Sequence, residues 1–303
     1  MHSRTLRADI LLFITAAIWG FAFVAQRVGM DHVGPLTFNG IRFALGALAL
    51  VPLILSMEKR RGHGRPATDG RRMAVGGLLL GLALFAGASL QQIGLAGPQL
   101  TELGFVASTA GKAGFITGLY VVFVPIFGLA LAQRPGWGTW LGASLAVVGM
   151  YLLSVTADLS ISFGDLLVLV GAFFWAGHVL LIGKLSPGMD AVDAIKLSAI
   201  QFVACAALSL LGAVVTEEIT LTGVMGAAPA IAYGGLMSVG VAYTLQVIAQ
   251  RDAQPAHAAI ILSLEAVFAA IGGWFMLDEI LTVRAMTGCA LMLTGMVLSQ
   301  LKP

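Results

Sequence analysis

Residues 8–20, ADILLFITAAIWG, return at 164–176 as GDLLVLVGAFFWA, with Asp9 over Asp165, Leu11 over Leu167, Ala16 over Ala172 and Trp19 over Trp175. The echo continues in order along the chain. A shift of 145 lays Lys112–Gly128 over His257–Gly273, matching Ala113, Ile116, Leu119, Val122, Phe123, Ile126 and Gly128. Leu90-Gln91 matches Leu245-Gln246, and Gly142, Leu145, Gly149, Met150 and Leu152 match Gly288, Leu291, Gly295, Met296 and Leu298. The sequence is two copies of one unit, divided into 1–157 and 158–303 within a single membrane domain.

Composition says where the units live. Of 303 residues 58% are hydrophobic and 11% charged, and the mean hydropathy is +0.94, too apolar for a water-facing globular surface. About 20 apolar residues cross the hydrocarbon, and ten such windows lie between the polar marks: 9–27, 35–56, 73–96, 105–131, 137–155, 165–184, 192–215, 225–249, 256–277 and 284–301. They are too long and too uniformly apolar for barrel strands, so the expected fold is an all-α integral membrane protein. The first window follows Arg4 and Arg7 like a signal peptide, yet it is long and has no small-x-small cleavage site, so it is kept as a helix. Cys205 and Cys289 both fall within spans and imply no disulfide framework.

Five spans per unit is an odd number, so the second unit enters the membrane the other way up. The expectation is ten transmembrane helices as two inverted five-helix repeats around a central cavity, an architecture that exposes one site alternately to either side. With a cytoplasmic N-terminus, thirteen basic residues fall inside: Arg4, Arg7, Lys59, Arg60, Arg61, Arg65, Arg71, Arg72, Arg134, Lys184, Lys196, Arg251 and Lys302. Only Arg27 and Arg284 fall outside, which puts both termini in the cytoplasm. The net charge of +2 thereby reads as a topology signal, not a nucleic-acid surface.

The segments LLSVTADLSISFGDLLVLVGAFFWAGHVLLIGK, AHAAIILSLEAVFAAIGGWFMLDEIL and TAGKAGFITGLYVVFVPIFG resemble the EamA family of the drug/metabolite transporter superfamily, over nearly the whole chain and twice over. The resemblance implies a ten-helix inner-membrane exporter of amino acids or similar small metabolites, as in the YddG-type amino-acid exporters. Other cargoes, such as amines, nucleobases or drugs, and a channel-like facilitator are the alternatives. No H-E-x-x-H motif or paired intramembrane aspartates suggest an enzyme, and neither cofactor nor metal is expected. The expected partners are a small solute and the bilayer, with the chain acting as a monomer.

Polar residues inside spans are costly and so mark function. Lys112 either faces the cavity, holding a carboxylate, or snorkels to the headgroups. His178, three residues after Trp175 on one helix face, either lines the cavity or bonds a carbonyl. Glu265, the carboxylate nearest a span centre, stands over Tyr120 in the repeat and is either a proton carrier or a brace. No second intramembrane acid accompanies it, which favours facilitated diffusion. Gln91, Gln92, Tyr243 and Gln246 offer uncharged hydrogen bonds suited to a zwitterion, and Trp19 and Trp175 offer cavity walls. Arg42 is read as pairing structurally or snorkelling, with substrate contact the minority reading, and Asp9 and Asp165 as helix N-terminal caps. Gly77, Gly81 and Pro125 supply close, movable helix contacts.

Overall fold

A computed structural model describes residues 2–60, 68–108, 110–154, 161–276 and 282–301. Arg61, Arg65 and Lys302 of the charge pattern lie outside the described residues. The elements are α1 (His2–Gly29), α2 (Pro35–Arg60), α3 (Gly70–Leu95), α4 (Gly97–Glu102), α5 (Ala110–Gly118), α6 (Tyr120–Ala130), α7 (Trp137–Ser154), α8 (Phe163–Leu185), α9 (Ala191–Thr216), α10 (Leu221–Gly226) and α11 (Ala228–Ala232). A π-helix (Tyr233–Tyr243) follows, then α12 (Thr244–Ala249), α13 (Pro255–Leu262), α14 (Glu265–Met276) and α15 (Val283–Leu301). Among the described residues there is no strand. Eight helical stretches are long and apolar enough to cross a membrane, and two shorter apolar ones, Trp137–Leu152 and Met286–Ser299, accompany them. The chain is a multi-pass membrane protein.

Local chemistry fixes the helix ends. Ser162 and Asp165 form a reciprocal capping box at the start of α8, the hydroxyl accepting from Asp165 N at 3.0 Å and the carboxylate from Ser162 N at 2.9 Å. Pro35 and Pro255 open α2 and α13, where a missing N–H costs nothing. The start of α2 takes its cap from another helix: the Glu217 carboxylate, just past α9, accepts from Leu36 N at 2.7 Å and Thr37 N at 2.8 Å. At the other end of the same antiparallel pair, Lys196 Nζ lies 2.6 Å from Glu58 Oε1. These two ties set the register of α2 against α9.

Two spans are broken at equivalent places. The stretch Lys112–Ala130 is interrupted at Leu119, between α5 and α6, and Pro255–Met276 at Ser263 and Leu264, between α13 and α14. Leu119 and Leu264 match in the repeat. Pro125 weakens the ladder of α6, since it cannot donate to Val121; the second span opens with Pro255 but has no proline in α14.

The helices pack in exchanged pairs: α1 lies on α13 and α14 as α8 lies on α5 and α6, and α2 meets the π-helix as α9 meets α3. The α7–α15 seam is closely packed, because glycines cross there. A Cβ on Gly142 would sit 2.7 Å from Gly295 O, one on Gly295 2.7 Å from Gly142 O, and one on Gly149 2.5 Å from Gly288 O, so only glycine fits.

Two expectations differ in detail. Helix α5 starts at Ala110 rather than 105, because residues 105–108 are extended: Ser108 N donates to Gly94 O, Gly164 N to Val106 O, and Phe105 stacks on Phe163 at 4.3 Å. Lys112 thereby sits in the first turn instead of two turns in. Helix α1 begins well upstream of Asp9, so this carboxylate is no cap; it meets His257 instead, while Asp165 does cap.

Candidate functional site

The two helix breaks meet at the middle of the molecule. Their first residues beyond the break, Tyr120 and Glu265, are repeat equivalents, and the Tyr120 hydroxyl lies beside the Glu265 carboxyl. Around them is a cavity of about 40 Å³ lined by α1, α2, α3, α5, α6, α8, the π-helix, α12, α13 and α14. That is room for about three water molecules and less than a small-molecule pocket needs. Admitting a solute therefore requires the surrounding helices to part.

One wall is aromatic. Tyr243, at the end of the π-helix, is its hub: Trp19 lies 4.5 Å away between ring centroids, Trp175 stacks at 6.1 Å, and His178 meets it edge-on at 6.0 Å. Each tryptophan is pinned by its indole N–H. Trp175 Nε1 donates to Gln91 Oε1 at 3.1 Å, and Trp19 Nε1 to the carbonyl of Ser238 at 3.1 Å, within the π-helix. Wider helical spacing leaves carbonyls available to such outside donors.

The opposing wall is a hydrogen-bond network centred on Gln91. Its Oε1 also accepts from Thr117 Oγ1 at 3.2 Å, and its Nε2 donates to Gln26 Oε1 at 3.1 Å. His178 Nε2 faces Gln201 Oε1 at 2.7 Å; because an amide oxygen only accepts, Nε2 carries the hydrogen and Nδ1 is left as an acceptor. Arg42, 3% exposed, completes the lining, its Cζ 5.4 Å from the Phe38 ring centroid and 5.0 Å from that of Phe43. Arg42 Nε and Gln246 Oε1 are buried in the lining without a hydrogen-bond partner among the described residues, and Tyr120 Oη and Glu265 Oε1 face no partner beyond each other. Such groups are costly unless something pairs with them.

Eight of the sequence candidates therefore line one cavity: Trp19, Gln91, Tyr120, Trp175, His178, Tyr243, Gln246 and Glu265. Two do not. Gln92 donates from Nε2 to Gln26 O at 3.3 Å, and Lys112 Nζ lies 3.7 Å from Asp165 Oδ2. Sequence reasoning passed over Gln26 and Thr117 and gave Arg42 a mainly structural role. Gln26 carried a usable signal, since Trp19, Phe23 and Gln26 run down one face of α1 at spacings of four and three. Among the described residues no three histidine, cysteine or acidic side chains gather as a metal site would need.

Away from the cavity, a second carboxylate contact stands at the position equivalent to Lys112–Asp165. His257 Nε2 lies 2.9 Å from Asp9 Oδ1, with Ser299 Oγ 3.2 Å from His257 Nδ1. His257 is the repeat equivalent of Lys112, and Asp9 of Asp165. A polar recess of about 250 Å³, lined by Arg7, Arg251 and Asp252 among others, adjoins Asp9.

Known proteins agree with this construction. The chain is 30% identical over 303 residues to an uncharacterised transporter of Archaeoglobus fulgidus, covering 99% of this chain and 87% of that one. It is 24% identical to the uncharacterised transporter YoaV of Bacillus subtilis, covering 93% and 92%. It is 27% identical to the uncharacterised inner membrane transporter YedA of Escherichia coli, covering 75% and 70%. A solved crystal structure superposes with a TM-score of 0.74 at 17% identity, over 97% of this chain and 96% of the other, and shares the fold. The model of the EamA-like transporter family matches twice, at residues 6–155 and 162–301, and the chain belongs to that family.

Proposed function

We propose that this small-solute transporter is an alternating-access carrier of ten helices in two inverted halves, 1–157 and 158–303, moving neutral and aromatic amino acids out across an inner membrane in which both termini face the cytoplasm. The observation that carries the reading is the meeting of two equivalent helix breaks, with Tyr120 and Glu265, at one central cavity. Broken spans put free backbone groups and flexibility at the site a carrier must open from both sides. The exchanged helix pairs support the inverted halves, as does the double family match.

The equivalent ion pairs supply the gates. Lys112–Asp165 joins the start of α5 to α8, and His257–Asp9 joins the start of α13 to α1, so in inverted halves they close opposite faces. Separating one pair while the other holds opens the cavity to one side at a time. The indole-lined wall accepts an apolar side chain, and the glutamines and unpartnered acceptors hold a zwitterion's polar end.

Purified protein in proteoliposomes tests this with radiolabelled amino acids, amines and nucleobases. The expected result is saturable uptake of neutral amino acids that is accelerated by unlabelled amino acid on the far side. Uptake linear in concentration, without that acceleration, means a channel; saturable uptake of other solutes alone overturns the amino-acid assignment.

A further inference from the structure

Among the described residues Arg42 is the one lysine or arginine in the cavity lining. It is 3% exposed, its Nε has no hydrogen-bond partner, and no carboxylate pairs with it among the described residues. Among the described residues the charged side chains that line the cavity are Arg42 and Glu265, and no ion pair joins the two. The rings of Phe38 and Phe43 flank the guanidinium and recover part of its lost hydration through cation–π attraction. They satisfy none of its five N–H donors.

A buried guanidinium without an anionic partner is strongly disfavoured, and an apolar side chain of similar bulk would pack the same space at no such cost. Its planar fork matches a carboxylate in two parallel hydrogen bonds, which a lysine cannot offer. Phe38, one turn before Arg42, and Phe43, next to it, hold the fork against α2 so that it does not swing away to the headgroups. The same lining holds Gln246 Oε1, an acceptor without a partner, and the Glu265 carboxyl, which has only the Tyr120 hydroxyl beside it, as acceptors for an ammonium.

We infer that Arg42 is the carboxylate anchor of the transport site, binding the α-carboxylate of the solute while these acceptors take its ammonium and the Trp19–Tyr243–Trp175 wall its side chain. This deepens the amino-acid reading above and rests on it. Lys112, the cation the sequence offers for this task, is engaged by Asp165 at the edge of the bundle.

Binding to detergent-solubilised full-length protein, read by thermal shift and calorimetry, tests the anchor separately from transport. The ligands are phenylalanine, phenethylamine, which lacks the carboxylate, and 3-phenylpropionate, which lacks the ammonium. Expected is a loss of about 30-fold for phenylalanine and 3-phenylpropionate in Arg42→Gln, about 2 kcal/mol, with phenethylamine changed less than threefold. Arg42→Lys should recover only part of it. Retained phenethylamine binding and an unchanged elution profile certify the fold, and if Arg42→Gln fails that check the comparison is made on Arg42→Lys. Equal losses for the acid and the amine, full recovery by lysine, or failure of both carboxylates to bind wild-type protein overturn the anchor. Carboxylate binding that depends on Arg42 without saturable transport would uphold the anchor and overturn the carrier.

Discussion

Asp9 and Asp165 hold the same place in the two halves, and each carboxylate takes its nitrogen partner from the same place in a broken span: His257 at 2.9 Å for Asp9, Lys112 at 3.7 Å for Asp165. The chemistry of the two pairs differs although their positions agree. One is a lysine ion pair, 31% exposed at the lysine; the other is an imidazole–carboxylate pair buried against Ser299. Neutralising either carboxylate should open the face it guards. With Thr117→Cys as a reporter in a background lacking Cys205 and Cys289, Asp165→Asn should raise maleimide labelling from one side of the membrane at least fivefold, and Asp9→Asn from the other. Labelling raised from one and the same side by both variants would sink the assignment of gates.

Lys112 itself should be indifferent to the ligand's headgroup. Because it meets Asp165 and not the cavity, Lys112→Ala should slow transport of phenylalanine and of phenethylamine by the same factor, within twofold. A loss confined to the amino acid would move the carboxylate contact back to Lys112.

Glu265 separates coupling from binding. Glu265→Gln keeps an acceptor oxygen and the shape of the side chain while removing its charge, so the apparent affinity for phenylalanine should fall about tenfold, the size of one charge-assisted hydrogen bond. Among the described residues no second acid lines the cavity to relay a proton. An imposed pH gradient should consequently leave uptake rates unchanged in wild type and variant alike. Acceleration in wild type that the variant abolishes would make Glu265 the proton carrier.

Glu217 should matter to stability alone. Its carboxylate satisfies two backbone donors at the start of α2, and removing such a cap costs ~1–2 kcal/mol. Glu217→Ala should lower the unfolding midpoint in detergent by several degrees with transport per folded molecule unchanged, and Glu217→Gln should lower it less. A normal midpoint in both would mean the α2–α9 register is set elsewhere, for instance by Lys196–Glu58.

Much of this architecture was legible in sequence because bilayer thickness imposes a length on apolar runs and the repeat imposes an order. What escaped was local. The extended residues 105–108 are as apolar as the helix after them, so hydropathy placed Lys112 too deep. Pro125 lies inside α6, past the first break, and nothing in SLEAV announces the second; only the match of Leu119 with Leu264 pairs them. Arg42 was undervalued for a physical reason: a charge in a span is read first as a cost to be hidden by pairing or snorkelling, and only three-dimensional packing reveals that neither occurs. The aromatic and glutamine lining was easier, since Trp19, Trp175, Gln91 and Gln246 are themselves repeated.

The crossed glycines of α7 and α15 make each side of that seam complementary to a copy of itself turned upside down, since Gly142 meets the equivalent of Gly149 and Gly149 the equivalent of Gly142. Recognition between the halves is thus written into the ends of both units, not into the link that joins them. Assembly then resembles the docking of two separately inserted bodies: residues 1–157 and 158–303 produced as two polypeptides should find each other in the membrane and restore uptake, and a bulky side chain at Gly149 should abolish that rescue more completely than it impairs the unbroken chain.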